Sequence, residues 1–225
     1  MKRLRWFRQI SLALAIFATV PFAHAWDRSS PPAIVTRYCS GCHARDGRSQ
    51  LPYIPRLAGL SAAYSERRLA SFRDKAAPPV DEAIERLIHL NIPKDASVTA
   101  AARVHMVGVA SSISDQEINA AAEWYSAQTP TPGKMSKGRE VEEGEQLFTN
   151  GLESKGLRAC QSCHGSNAEG TDQAPRLAGQ NSAYVIVQLA HFRAGERHDA
   201  PEMTGVARNV GGNQARAVAL YLQSR

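Results

Sequence analysis

The sequence Cys39-Ser40-Gly41-Cys42-His43 returns in outline as Cys160-Gln161-Ser162-Cys163-His164. Two thiols three residues apart lie about one helical turn from each other. Each can form a thioether with a haem vinyl group while the adjacent imidazole reaches the iron. The pattern predicts two covalently bound haem c groups, attached through Cys39, Cys42, Cys160 and Cys163, with iron ligated by His43 and His164. The chain has 4 cysteines, so both motifs together leave none for a disulfide, a catalytic thiol or a thiolate axial ligand. A thioredoxin-like pair or half of a zinc site suits the spacing less well, because a His directly follows the second Cys in both copies.

A second axial ligand must come from elsewhere. Beyond the initiator the methionines are Met106, Met135 and Met203. Met135 falls in a linker, whereas Met106 and Met203 share the context Met-x-Gly-Val-Ala just before a closing helix. A methionine is more often core filler, but this matched pair predicts ligation, and a thioether opposite an imidazole raises the reduction potential. His89, His105, His191 and His198 read singly as surface or core residues; His105 stands out because it directly precedes Met106.

These residues sit on a repeat. At an offset of 120, Pro55-Arg-Leu-Ala-Gly59 matches Pro175-Arg-Leu-Ala-Gly179, and Tyr64, Leu69, Phe72 and Arg73 match Tyr184, Leu189, Phe192 and Arg193. The chain therefore divides into a first domain at 26–130 and a second at 131–225, joined at Thr129-Pro-Thr-Pro132-Gly133, a stretch expected to be extended and semi-rigid. Each unit reads as helical, giving an all-α fold. Val141, Gly144 and Phe148 share one helix face, and Gly144 would admit another helix closely. Middle helices are expected over Tyr64–Phe72 and Tyr184–Phe192. Ser114-Asp-Gln-Glu117 is a capping box ahead of Ile118, Ala121, Ala122 and Tyr125; the equivalent helix runs from about Asn213 to Leu222. A domain of this size buries only ~60–65% of its unfolded surface, so haem would form much of each core.

Lys2, Arg3, Arg5 and Arg8, then the apolar run Ile10–Phe22 and Ala23-His24-Ala25, read as a cleaved secretory signal peptide over 1–25. The run is shorter than the ~20 residues that span a bilayer. Those four residues are part of the 27 basic ones, so without them 23 bases face 21 acids and the formal charge falls from +6 to +2. A nucleic-acid partner is not expected.

The paired haem motifs, the Pro-Arg-Leu-Ala-Gly segments followed by Tyr and then Phe-Arg, the Leu177-Ala-Gly-Gln180 and the late methionines resemble the diheme class I cytochromes c of the cytochrome c4 type. The resemblance implies two small helical cytochrome c domains related by pseudo-twofold symmetry. It also implies that the carbonyls of Pro55 and Pro175 accept a hydrogen bond from His43 and His164. The chain departs from that pattern between Arg73 and Met106, where 32 residues stand against nine between Arg193 and Met203. About 23 extra residues thus form an insertion at about 75–98, and the helix before the first motif is short, starting after Pro31-Pro32.

The expected function is electron transport in the periplasm, one electron per haem, between a redox protein donor and acceptor of the respiratory chain, such as a membrane-bound terminal oxidase or dehydrogenase. Peripheral membrane contact is compatible with this. Alternatives are a diheme peroxidase-like enzyme, which needs one open iron position, and a cytochrome subunit of a dehydrogenase complex. No dinucleotide fingerprint or nucleophile elbow is present.

Overall fold

The structure, a computed structural model, describes residues 29–73, 96–134 and 136–225. The signal peptide, His89, Met135 and the part of the insertion at 75–95 lie outside the described residues. Those described are helical, with no strand and a single isolated bridge between Leu152 and Leu157. None of their helices is long and apolar enough to cross a membrane.

In the first repeat a π-helical segment, Val35–Cys39, runs directly into α1 (Ser40–His43). Then come α2 (Ala62–Arg73), α3 (Ala96–Ser112) and α4 (Asp115–Ser126). The second repeat has α5 (Arg139–Asn150), α6 (Gln161–His164), α7 (Ser182–Arg193), α8 (Pro201–Arg208) and α9 (Gly212–Ser224). Residues 96–98, placed in the insertion by the sequence, already belong to α3.

Local chemistry accounts for several boundaries. Ser114 Oγ accepts from Glu117 N at 3.2 Å while Ser114 N donates to Glu117 Oε2 at 2.9 Å, a reciprocal cap that starts α4. Behind it Ile118, Ala121, Ala122 and Tyr125 are all buried. At α9, Gly211 N donates to Gln214 Oε1 at 2.7 Å. Gly144 lets α5 press onto α9, since a Cβ there would stand 2.1 Å from Ala217 O. Against that crossing Phe148 is fully buried and its ring lies 5.5 Å from that of Tyr221.

The apolar cores are separate. One gathers Ile34, Val35, Val109, Ile113, Ile118 and Tyr125. Another gathers Phe148, Ala168, Val185, Val218, Tyr221 and Leu222. Between them passes the Pro-rich linker. A Cβ on Gly59 would meet Pro130, and one on Gly179 would meet Thr131, so both Pro-Arg-Leu-Ala-Gly loops end against the linker in left-handed glycines with φ of +72° and +75°. The loops are held alike: Gly59 N donates to Tyr125 O at 2.9 Å and Gly179 N to Leu222 O at 2.8 Å.

Candidate haem sites

Each motif ends one helical turn on a buried imidazole, His43 and His164 both being 6% exposed. Their Nδ1 atoms stand 2.9 Å from Pro55 O and 2.9 Å from Pro175 O. A carbonyl can only accept, so Nδ1 carries the proton and Nε2 presents its lone pair. Burial pushes both imidazoles below the ordinary histidine range, and the proline hydrogen bonds oppose it only in part. A neutral imidazole with a fixed tautomer is what ligation of a metal requires.

The loops that bring the prolines back are pinned close by. In the first repeat Ser49 Oγ donates to Cys42 O at 3.0 Å and Leu57 N to Gly47 O at 2.8 Å. In the second, Leu177 N donates to Ala168 O at 2.8 Å, the same turn. A side chain at Gly47 or Gly170 would strike the backbone of the returning loop, at Ala58 N and Arg176 N respectively.

Burial raises the Cys39 and Cys160 thiols to about 11. Neither is a ready thiolate at neutral pH, which argues against a redox or catalytic thiol. Among the described residues no three His, Cys, Asp or Glu side chains gather as a metal-ligand set. The donors suit a covalent haem instead: two cysteines, one neutral imidazole, and in the second repeat a buried Arg176 Nε without a partner, a cation complementary to a propionate. In the first repeat the matching Arg56 is engaged, donating through Nε to Ser49 O at 3.2 Å and through its guanidinium to Gly179 O.

The two sulfur candidates sit differently. Met203 is the third residue of α8, which packs on α7, whereas Met106 lies deep within α3, which packs on α2. Both are partly exposed. The sequence places each just before the closing helix; the structure puts each inside the preceding helix, and α3 extends ten residues upstream of Met106 against two for α8 before Met203. His105 is exposed. His191 is a satisfied core residue, 4% exposed with Nδ1 2.6 Å from Glu196 Oε2.

Sequence reasoning missed the residues that join the repeats. Gln180 Oε1 accepts from Arg56 N at 2.9 Å and its Nε2 donates to Arg56 O at 3.0 Å. Asn181 Nδ2 donates to Leu51 O and Ile54 O, each at 2.9 Å. The repeat offers Leu60 and Ser61 at the equivalent places, so this pairing runs one way. The available signal was that break in the repeat.

A profile of the Cytochrome c family matches residues 141–225. Cytochrome c4 of Stutzerimonas stutzeri is 30% identical over 219 residues, covering 95% of this chain and 96% of that protein. The thiosulfate dehydrogenase electron acceptor of Thiomonas intermedia strain K12 is 30% identical, covering 94% and 87%. The solved structure of Acidithiobacillus ferrooxidans cytochrome c4 superposes with a TM-score of 0.67 at 31% identity, covering 85% of this chain and 100% of that one.

Proposed function

The chain belongs to the cytochrome c4 family of diheme electron carriers, and from that premise we propose that Cys39, Cys42 and His43 hold one haem and Cys160, Cys163 and His164 the other. The protein is an electron-transfer cytochrome with two covalently bound haem c groups, not an enzyme. Met106 and Met203 would supply a sulfur donor to each iron. The first domain spans 26–130 and the second 131–225.

When bound, each haem supplies a one-electron change at iron, at a potential set by its axial ligands and burial. The chain's own residues do the rest. The cysteine pairs fix the group's place on a helical turn. The carbonyls of Pro55 and Pro175 hold the Nδ1 protons, keep the imidazole planes oriented and increase the basicity of Nε2. The methionine sulfurs would favour the ferrous state, and Arg176 would offer its buried Nε to a haem carboxylate. The observation that carries this reading is the duplicated pairing of a buried imidazole with a proline carbonyl at 2.9 Å beside each cysteine pair.

The protein works in the periplasm, delivered by the leader at 1–25. Its redox partners include a dehydrogenase as donor, since one relative is named for accepting electrons from thiosulfate dehydrogenase, and a terminal oxidase is a fitting acceptor. Redox titration of the purified protein with optical and magnetic spectra tests the ligand set. Two low-spin, six-coordinate irons are expected. One high-spin iron would remove Met106 or Met203 from it, and reduction by a thiosulfate dehydrogenase in a coupled assay tests the donor.

A further inference from the structure

The helices that precede the methionines carry an arginine arrangement that the repeat does not explain. Phe72 and Phe192 are equivalent, and a guanidinium lies over each ring, Arg68 at 4.0 Å and Arg197 at 4.1 Å from the centroid. The two cations come from different chain positions. Arg68 lies one turn before its Phe within α2, whereas Arg197 follows its Phe by five residues, beyond α7. Gln188 occupies the place equivalent to Arg68 and accepts from Arg197 NH1 at 2.9 Å. The first repeat thus takes from α2 the cation that the second takes from the segment after α7.

One carboxylate joins them. Asp199 Oδ1 accepts from Arg197 Nε at 3.1 Å and Oδ2 from Arg197 NH2 at 2.6 Å, a two-point contact. Oδ1 also accepts from Arg68 NH1 at 3.2 Å, across the boundary between the repeats. Although the Asp199 backbone is exposed, the side chains of Arg68, Asp199 and Arg197 are only 16%, 11% and 5% exposed. Burial pushes the Asp199 carboxyl up, but the hydrogen bonds and charge of Arg197, with the charge of Arg68, outweigh it and hold it below the usual range. A desolvated pair of this kind contributes little net stability against an apolar replacement, and its best-attested use is to fix one arrangement over others. Forked guanidinium contacts are directional, and each Arg here is also held against a ring.

We propose that Asp199 is a positioning residue for electron exchange between the two haems: by bridging Arg68 and Arg197 it fixes the separation and orientation of the two haem-binding units. The inference rests on the diheme reading above. Electron tunnelling between fixed centres falls exponentially with their separation, so a bridge that removes hinge freedom between the units acts directly on the exchange rate. The Gln180 and Asn181 contacts tie the loops beside the linker; Asp199 ties α2 to the segment following α7.

The test uses the full-length holoprotein and the variants Asp199→Asn, Arg68→Gln, which installs the residue the second repeat has at that place, and the double variant. Haem content, the two reduction potentials and the rate of electron equilibration after photoreduction of one haem are measured. Both single variants are expected to retain two haems and to slow the exchange relative to wild type. The double variant should be no slower than either single one, because the same bridge is lost. The potentials should move in opposite senses, upward in Asp199→Asn, which removes a negative charge, and downward in Arg68→Gln, which removes a positive one. A shared slowing despite opposite potential shifts separates positioning from electrostatics, and a merely structural role would lower the melting temperature without slowing the exchange. If Asp199→Asn fails to fold, Arg68→Gln decides alone. Exchange indistinguishable from wild type in the folded variants overturns the proposal, whereas a wild-type protein without two redox-active haems refutes the diheme reading itself.

Discussion

Gly144→Ala sets two known effects against each other at the crossing of α5 and α9. In an isolated helix the change is favourable, by about 1 kcal/mol, because alanine loses less backbone entropy. Here the added Cβ would stand 2.1 Å from Ala217 O, 2.6 Å from Ala217 C and 2.9 Å from Tyr221 Cβ. Ordinary contact between such atoms is about 3.5 Å, and the obstructing oxygen and carbon belong to the backbone of a packed helix that cannot rotate away. The helices must part by roughly 1 Å, which loosens the fully buried Phe148 and its ring contact with Tyr221. Overpacking typically costs ~1–3 kcal/mol, and lost contact around Phe148 adds to it. The net expectation is a destabilisation of about 2 kcal/mol, or a melting temperature lowered by roughly 10 °C for a domain of this size. Thermal unfolding of the holoprotein followed by circular dichroism measures it. A Gly144→Ala protein that melts at or above wild type would refute the close-approach argument.

Further expectations concern the haems and the interface. Cys160→Ala or Cys163→Ala should leave the haem of the first repeat in place, as counted by intact-protein mass spectrometry; loss of both haems from a folded variant would contradict independent attachment. Met203→His should lower one reduction potential while its thioethers survive, because a second imidazole stabilises ferrous iron less than a thioether does; an unchanged titration curve makes Met203 core filler. Asp199 gives an acid-side signature. Its folded pKa is depressed, so its contribution is complete above the unfolded value of about 3.9 and is lost as pH falls through the lower folded value. The stability gap between wild type and Asp199→Asn should therefore close as denaturation is measured toward about pH 2, and a gap that stays constant there would mean that the carboxylate's ionisation is irrelevant.

What the sequence determines by itself is whatever is encoded within one turn or one loop. A Cys pair and its His are three and four residues apart, the capping box of α4 spans Ser114 to Glu117, and His43 and Pro55 are close enough in sequence for a single returning loop. The duplication multiplies such signals, since two copies of Pro-Arg-Leu-Ala-Gly exclude coincidence. Gly144 was legible as a place of close approach because its neighbours Val141 and Phe148 define the buried face. Tertiary structure alone decided how the two units face each other. Gln180 pairs with Arg56 across 124 residues, and Asp199 with Arg68 across 131, distances at which no periodicity or spacing carries information. The repeat even points the wrong way there, since Leu60 stands where a symmetric pairing would need Gln. A domain interface selects side chains by the geometry of the joined surfaces rather than by position along the chain. A guanidinium delivered from α2 therefore does in the first repeat what one from beyond α7 does in the second.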